Sequence, residues 1–263
     1  MNLRNKQIIN QSESLANPWL KSPQERIDCF KREAIQLIQS PEYFTMSLDA
    51  ILLADFIQLP QKRHFRYMDF CSGHGVIPLL LSARTDEPLV GVEIQPALVD
   101  MARRSIGLNG LDQQIKIIES DLLELPLVDW QGMDVISCNP PFFVVDHSNA
   151  IHHLDSHALA RHEIALTLDQ WIRQASRMLK TKGKLFFVHR PDRLDDIIEV
   201  LLRYHFSLNR LKFIYPKQGQ LANMILVEAI YYGGRQGVKV EPPLVVHQAD
   251  NSYTPEMMAI YYG

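Results

Sequence analysis

"FRYMDFCSGHGVIPLLLSA", residues 65–83, reads as a strand, a glycine turn and a helix in direct succession. A short run led by aromatic and apolar residues ends at Asp69 and Phe70, Gly73 and Gly75 open the turn, and an apolar stretch from Val76 to Leu81 follows. Glycines at such a turn let the backbone take left-handed conformations and pass close to a ligand. The same alternation continues outward. "PLVGVEI" (88–94) is a second strand, and "PALVDMARRSIGLNG" (96–110) a helix closed by Gly110. "IKIIESD" (115–121) and "MDVISCNPPFF" (133–143) are the next strands, and "HALARHEIALTLDQWIRQASRMLK" (157–180) is a long amphipathic helix. "KLFFVHR" (184–190) and "PDRLDDIIEVLLRYH" (191–205) form a further strand–helix pair, and "LNRLKFIYPK" with "NMILVEAIYYGG" a terminal hairpin. Strands and helices alternating at this spacing predict an α/β fold with a doubly wound, mainly parallel sheet.

Upstream, "QERIDCFKREAIQLIQS" (24–40) has a helix-like spacing, and Ser47 is placed to cap a helix carrying Ile51, Leu52 and Leu53. The expected organisation is a polar extension over 1–23, loose or adjunct to the rest, a single domain over 24–255 and a tail over 256–263. Within the domain, 24–58 is expected to be helical and 59–255 to form the sheet core. The 263 residues are 46% apolar with a formal charge of −3, enough for a substantial core and no advertisement of nucleic-acid binding. Cys29, Cys71 and Cys138 lie far apart without a CxxC pair, as expected of reduced thiols in a cytoplasmic protein. No apolar run approaches the roughly 18 residues a membrane helix needs, so a soluble protein is expected.

The glycine turn is not a clean dinucleotide fingerprint, because Pro78 stands where a third glycine would permit close helix packing. What gives it meaning is the ordered set around it. Asp69, Gly73, Gly75, Glu93 and Asp121 each fall at a predicted strand's carboxyl end, the edge where open sheets bind ligands. Glu93, twenty residues past Gly73, suits a ribose diol, and Asp121 an adenine amino group. The bland alternative is a tight turn with two surface acids. The set favours a nucleoside-bearing cofactor.

"NPPF", Asn139 to Phe142, ends the fourth predicted strand of the sheet core beside that crevice. Prolines cannot continue a central strand. They can stiffen a stub on which the Asn139 side-chain oxygen and the Pro140 carbonyl accept the two N–H bonds of an exocyclic amine. Such a hold aligns the nitrogen lone pair toward an electrophilic methyl without a strong base. Phe142 would stack on the base carrying the amine. The alternative is a stiff loop with core phenylalanines.

These features together resemble Rossmann-like class I methyltransferases that use S-adenosylmethionine and bear an N/D-P-P-aromatic motif. More closely, the chain is similar to the bacterial tRNA1(Val) adenine N6-methyltransferase family, which methylates the adenine just 3′ of the anticodon. The stretches carrying the resemblance include "QSPEYFTMSLDAILLADF", "DFCSGHGVIPLLLSART", "GVEIQPALVDMARRS", "CNPPFF" and "YPKQGQLANMILVEA". They span about residues 24–255. Phe142 stands where relatives often carry Tyr. The resemblance implies a seven-stranded sheet with an antiparallel last strand. It implies that Asp69, Cys71, Gly73 and Gly75 hold the methionine side of the cofactor, Glu93 the ribose, and Asp121 with Leu122 the adenine. Asn139, Pro140 and Phe142 would hold the target base, with Asn139 also beside the cofactor. Gly107 has no assigned role.

Phe143, Arg161, His162, Arg190, Lys212 and Lys217 are further candidates for substrate contact. Between Arg177 and Lys217 ten basic residues face only four acids, and part of that excess is expected to form a phosphate-binding surface beside "YPKQGQ". Five histidines between His147 and His162 match no zinc spacing, so no metal is expected. The expected partner is tRNA, its target base flipped out of the anticodon loop. Three alternatives stay open: a protein glutamine N5-methyltransferase, an rRNA guanine N2-methyltransferase, and a non-catalytic nucleotide- or RNA-binding module. The sequence gives no oligomeric state.

Overall fold

The computed structural model describes residues 17–43, 47–140 and 166–263. Its centre is a sheet built from β3 (Tyr67–Phe70), β4 (Leu89–Glu93), β5 (Ile115–Glu119), β6 (Met133–Cys138), β7 (Leu179–His189), β8 (Phe206–Lys217) and β9 (Met224–Tyr231). These seven run in the order β8-β9-β7-β6-β3-β4-β5. All neighbours are parallel except β9, which is antiparallel to both β7 and β8. The α/β architecture and the antiparallel last core strand are as the sequence predicts. Two short strands, β10 (Lys239–Val240) and β11 (Leu244–His247), extend the sheet parallel to β8, giving nine strands rather than seven. Pro242 and Pro243 separate them, which disguises a strand pair in the sequence.

Strand alternation sends successive side chains to opposite faces. Tyr67, Val135, Phe186 and Val188 share one core with helices α1 (Leu48–Phe56), α2 (Val76–Ser82) and α3 (Pro96–Leu108). Met68, Ile136, Leu185 and Phe187 share the other with α5 (Leu168–Met178) and α6 (Leu194–Arg203), which follow the short α4 (Leu127–Trp130) in the chain. Thr167 and Gln170 close α5 with a reciprocal capping box. Ser47 occupies the N-cap position of α1, but its hydroxyl makes no capping bond.

The helix expected to run to residue 180 ends at Met178, where β7 takes over, and three parts of the expected domain organisation also differ. Residues 24–40 are not helical: β1 (Arg26–Phe30) and β2 (Ile35–Gln39) form an antiparallel hairpin. Its outer edge is satisfied by α3, where Ser105 Oγ accepts from Ile38 N at 2.9 Å and Asn109 bonds both N–H and C=O of Gln36. A helix-like spacing loses to a tertiary partner that supplies strand hydrogen bonds. The extension is not loose from residue 17 onward. Trp19 lies against Gly107, where an added Cβ would stand 2.8 Å from the indole ring, and that contact is the role Gly107 lacked. The tail is a docked helix, α7 (Pro255–Tyr262), with Met257 and Ile260 buried in the core and Thr254 capping it.

Candidate active site

β3 ends in the turn that the sequence singles out. Gly73 and Gly75 both sit at positive φ, +56° and +74°, which side chains rarely tolerate. Cys71 also takes a left-handed φ, 54°, so the turn stores backbone strain at a non-glycine residue. The turn is pinned from β4: Ser72 N donates to Val92 O at 2.9 Å and Gly73 N to Glu93 Oε2 at 2.9 Å. Glu93 Oε1 accepts from Ile94 N and Gln95 N at 3.0 and 2.9 Å. The carboxylate expected to meet a ribose therefore also ties the second strand of the crevice to the glycine turn, and any ribose hydroxyl shares it with three backbone donors.

Asp69 is fully buried between β3 and β6, where it is level with Ser137. Ser137 donates to Asp69 Oδ1, and the Tyr67 hydroxyl bonds Ser137 Oγ, making a chain of three polar side chains inside an apolar layer. Burial pushes the Asp69 carboxyl up to about 7, opposed by the Ser137 and Ser72 hydroxyls and reinforced by the Glu93 charge. Oδ2 has no partner at hydrogen-bonding geometry; the Ser72 hydroxyl, itself buried without one, is near enough to oppose the rise. A buried acceptor without a partner beside a strained turn is what a cationic ligand group would complete, so these residues fit a cofactor bearing an ammonium.

A carboxyl that binds its proton more tightly folded than unfolded stabilises the fold at low pH. That contribution is lost as pH rises from its ordinary 3.8 through about 7. Asp69→Asn removes the loss. The variant-minus-wild-type difference in unfolding free energy should climb by ~1.4 kcal/mol per pH unit across that window in urea titrations. A flat difference would mean that Asp69 titrates normally.

Asp121 follows β5 and its Oδ1 caps the next 3-10 turn by accepting from Leu123 N at 2.8 Å. The Leu122 side chain is buried in the core, and its carbonyl accepts from Gln174 Nε2 at 2.9 Å. What Leu122 can offer a base is therefore its backbone N–H, the first of that turn. Asn139 and Pro140 follow Cys138 directly, and Cys138 is level with Phe70 on β3. Asn139 and the glycine turn therefore stand at the same edge of the sheet, on adjacent strands. The Cys138 thiol is pushed well up by burial, with the Cys71 thiol beside it. On the other side, His189 ends β7 close to Pro140; burial lowers it to about 4, so it is neutral at pH 7, and its Nδ1 accepts from Arg190 N at 2.9 Å. His74, inside the turn, is likewise lowered to about 4 by burial, and its Nε2 is buried with no partner.

Phe142, Phe143, Arg161, His162 and the five-histidine stretch lie outside the described residues. Among the described residues no group of three or more His, Cys, Asp or Glu is placed to hold a metal, and no helix is long and apolar enough to cross a membrane. The basic run does not form one surface. Arg190, paired with Asp192 at 2.6 Å, and Lys217, donating to Ala249 O at 3.2 Å, stand at the edge carrying Asn139. Lys212 pairs with Glu256 of α7, three strands from Asn139. Lys180, Lys182 and Lys184 begin β7 at the opposite edge. Sequence reasoning did not single out Tyr67 or Ser137, because pairing across β3 and β6 depends on a register the sequence does not print.

The methyltransferase small domain model matches residues 49–209. Among curated relatives, a tRNA1(Val) (adenine(37)-N6)-methyltransferase of Porphyromonas gingivalis is 29% identical over 201 residues, covering 73% of this chain and 76% of that protein. One of the same name from Bacteroides thetaiotaomicron is 25% identical, covering 79% and 84%. Among solved structures, a predicted O-methyltransferase from Agrobacterium tumefaciens superposes with a TM-score of 0.62 at 23% identity, over 81% of this chain and 95% of that one, a likeness of fold. With the family match covering more than half of the chain and the glycine turn, Glu93 and Asn139 gathered at one sheet edge, the protein belongs to the methyltransferase small domain family and is an S-adenosylmethionine-dependent methyltransferase.

Proposed function

We propose that the protein methylates the exocyclic N6 of adenine in tRNA, at the adenine 3′ of the anticodon of tRNA1(Val), in the cytoplasm. The observation that carries this reading is the placement of Asn139 and Pro140 at the carboxyl end of β6, beside the turn that ends β3. The names of the relatives over most of the chain support the choice of substrate.

S-adenosylmethionine supplies an electrophilic methyl group on a sulfonium; Asp69, Cys71, Gly73, Gly75, Glu93, Asp121 and Leu122 would hold it. Asn139 Oδ1 and the Pro140 carbonyl accept the two N–H bonds of the adenine amine, which turns its lone pair out of conjugation and toward the donor. The amine, held by Asn139 and Pro140, would take up that methyl group and give up one proton to solvent. Two prolines limit the entropy lost in ordering the stub. Phe142 would stack on the flipped base, and Phe143, Arg161 and His162 remain candidates for substrate contact. Arg190 and Lys217, on the same edge, face the incoming backbone.

Transfer of labelled methyl to tRNA lacking the modification, with nucleoside mapping, tests the proposal. Label is expected in N6-methyladenosine at the position 3′ of the anticodon. Label appearing instead in rRNA guanine or in a glutamine of a release-factor-like protein would overturn it.

A further inference from the structure

At the sheet edge opposite Asn139 the chain builds a second basic site. Between Met133 and Val135 the β6–β7 register shifts: Leu179 stands level with Met133 and Lys184 with Val135, so the segment 180–183 bulges past Asp134. The bulge carries Lys180 and Lys182, and Lys184 follows it. With Arg84, Gln58 and Gln61 they line a cleft of about 860 Å³. Asp134, 8% exposed, forms ion pairs with Lys180 and, at 2.6 Å, with Lys62. Burial alone would raise its carboxyl, but hydrogen bonds from Lys180, Lys62 and the Arg66 backbone outweigh that and hold it below the usual range. Lys184 pairs with Glu228 at 2.9 Å, a carboxylate it shares with Arg210. Arg84 is fixed by donating to the Ala54 and Ile57 carbonyls.

Lys180, Lys182, Lys184 and Arg84 outnumber Asp134, the one acid lining the cleft, even with Lys180 paired to Asp134 and Lys184 to Glu228. Arg84 spends two donors on neutral carbonyls and keeps its full positive charge. A cleft lined by cations with neutral amides between them suits a tetrahedral oxyanion, because lysine ammoniums meet phosphate oxygens as compact point charges. We propose that this cleft is a phosphate-binding site, separate from the methyl-transfer site. Its ligand is a phosphodiester backbone or a free phosphate compound. The backbone source rests on the tRNA reading above; β6, six residues long, spans about 20 Å between the two edges.

The test uses the full chain with Lys62→Gln and Lys182→Gln combined, both at exposed positions, with far-UV circular dichroism and melting temperature confirming the fold. Equilibrium binding of whole tRNA is measured against salt, and melting temperature is measured against added pyrophosphate without RNA. If the cleft takes the RNA backbone, the salt slope of the double variant falls by about 1–2, at ~0.7–0.9 per phosphate lost, and KM for whole tRNA rises several-fold. Methylation of a short anticodon stem-loop is then unchanged. If the cleft takes a free phosphate compound, pyrophosphate raises the wild-type melting temperature by several degrees and the variant loses that rise, with an unaltered salt slope. A variant that matches wild type in both measurements overturns the proposal. Failure of wild type to methylate the stem-loop or the tRNA would strike the function proposed above and leave the cleft's own readouts intact.

Discussion

Asn139→Ala is expected to lower the rate of methyl transfer by roughly 10²–10³-fold, the scale seen when one preorganised polar group aimed at a reacting centre is removed. Cofactor affinity should be nearly unchanged, since the turn from Asp69 to Gly75 and its anchors on β4 do not depend on the Asn139 side chain. Single-turnover transfer and equilibrium titration of cofactor separate the two. Asn139→Asp, which keeps an acceptor oxygen, should retain more activity than Asn139→Ala. If cofactor binding collapsed in the alanine variant while bound substrate still turned over, Asn139 would belong to the cofactor site alone. The effect is large because alignment of the amine carries the rate.

Glu228→Ala should cost about 3–5 kcal/mol of unfolding free energy, the usual consequence of removing one member of a buried ion network. Glu228 is fully buried on β9. It accepts from Lys184 at 2.9 Å and Asn209 at 2.8 Å, and pairs with Arg210. Burial would raise its carboxyl, yet the Lys184 and Arg210 bonds hold it below the ordinary range. Arg210 in turn donates to Phe56 O at 2.9 Å and lies 4.2 Å from the centre of the Phe56 ring, which joins the β8–β9 hairpin to α1. Without Glu228, both Arg210 and Lys184 lose a buried counter-charge. Urea unfolding measures the loss, and Glu228→Gln, which keeps the shape and one acceptor, should cost less. A loss under about 1 kcal/mol for the alanine variant would place the network among surface pairs of little consequence.

The common edge of the candidate site was legible in residues 65–140 because its residues sit at strand ends. A strand followed by a glycine turn announces its own carboxyl edge, and in a parallel sheet every such edge faces the same way. Asp69, Gly73, Glu93, Asp121 and Asn139 could therefore be assembled without coordinates. Tyr67 and Ser137 could not. Their link to Asp69 exists only because Asp69 and Ser137 are level across two strands that are 68 residues apart in the chain. Glu93's grip on the turn was equally hidden, since a carboxylate at a strand end reads the same whether it awaits a ribose or holds a backbone amide. The basic run misled for a related reason. Lys180 and Lys217 belong to one basic run yet stand at opposite sheet edges, because Lys180 lies at the start of β7 and Lys217 at the end of β8, and both strands begin at the same edge.

The order of apolar strands and amphipathic helices fixed the doubly wound architecture and the edge that carries the chemistry, because local periodicity and turn residues act over short separations. Packing between distant segments settled the rest: β1 and β2 are strands because α3 supplies their edge hydrogen bonds. Residues 255–262 form a docked helix because the core leaves room for Met257 and Ile260. The cleft around Asp134 exists because the β6–β7 register shifts there. Each of these depends on which surfaces meet, a quantity that neighbouring residues along a chain do not encode.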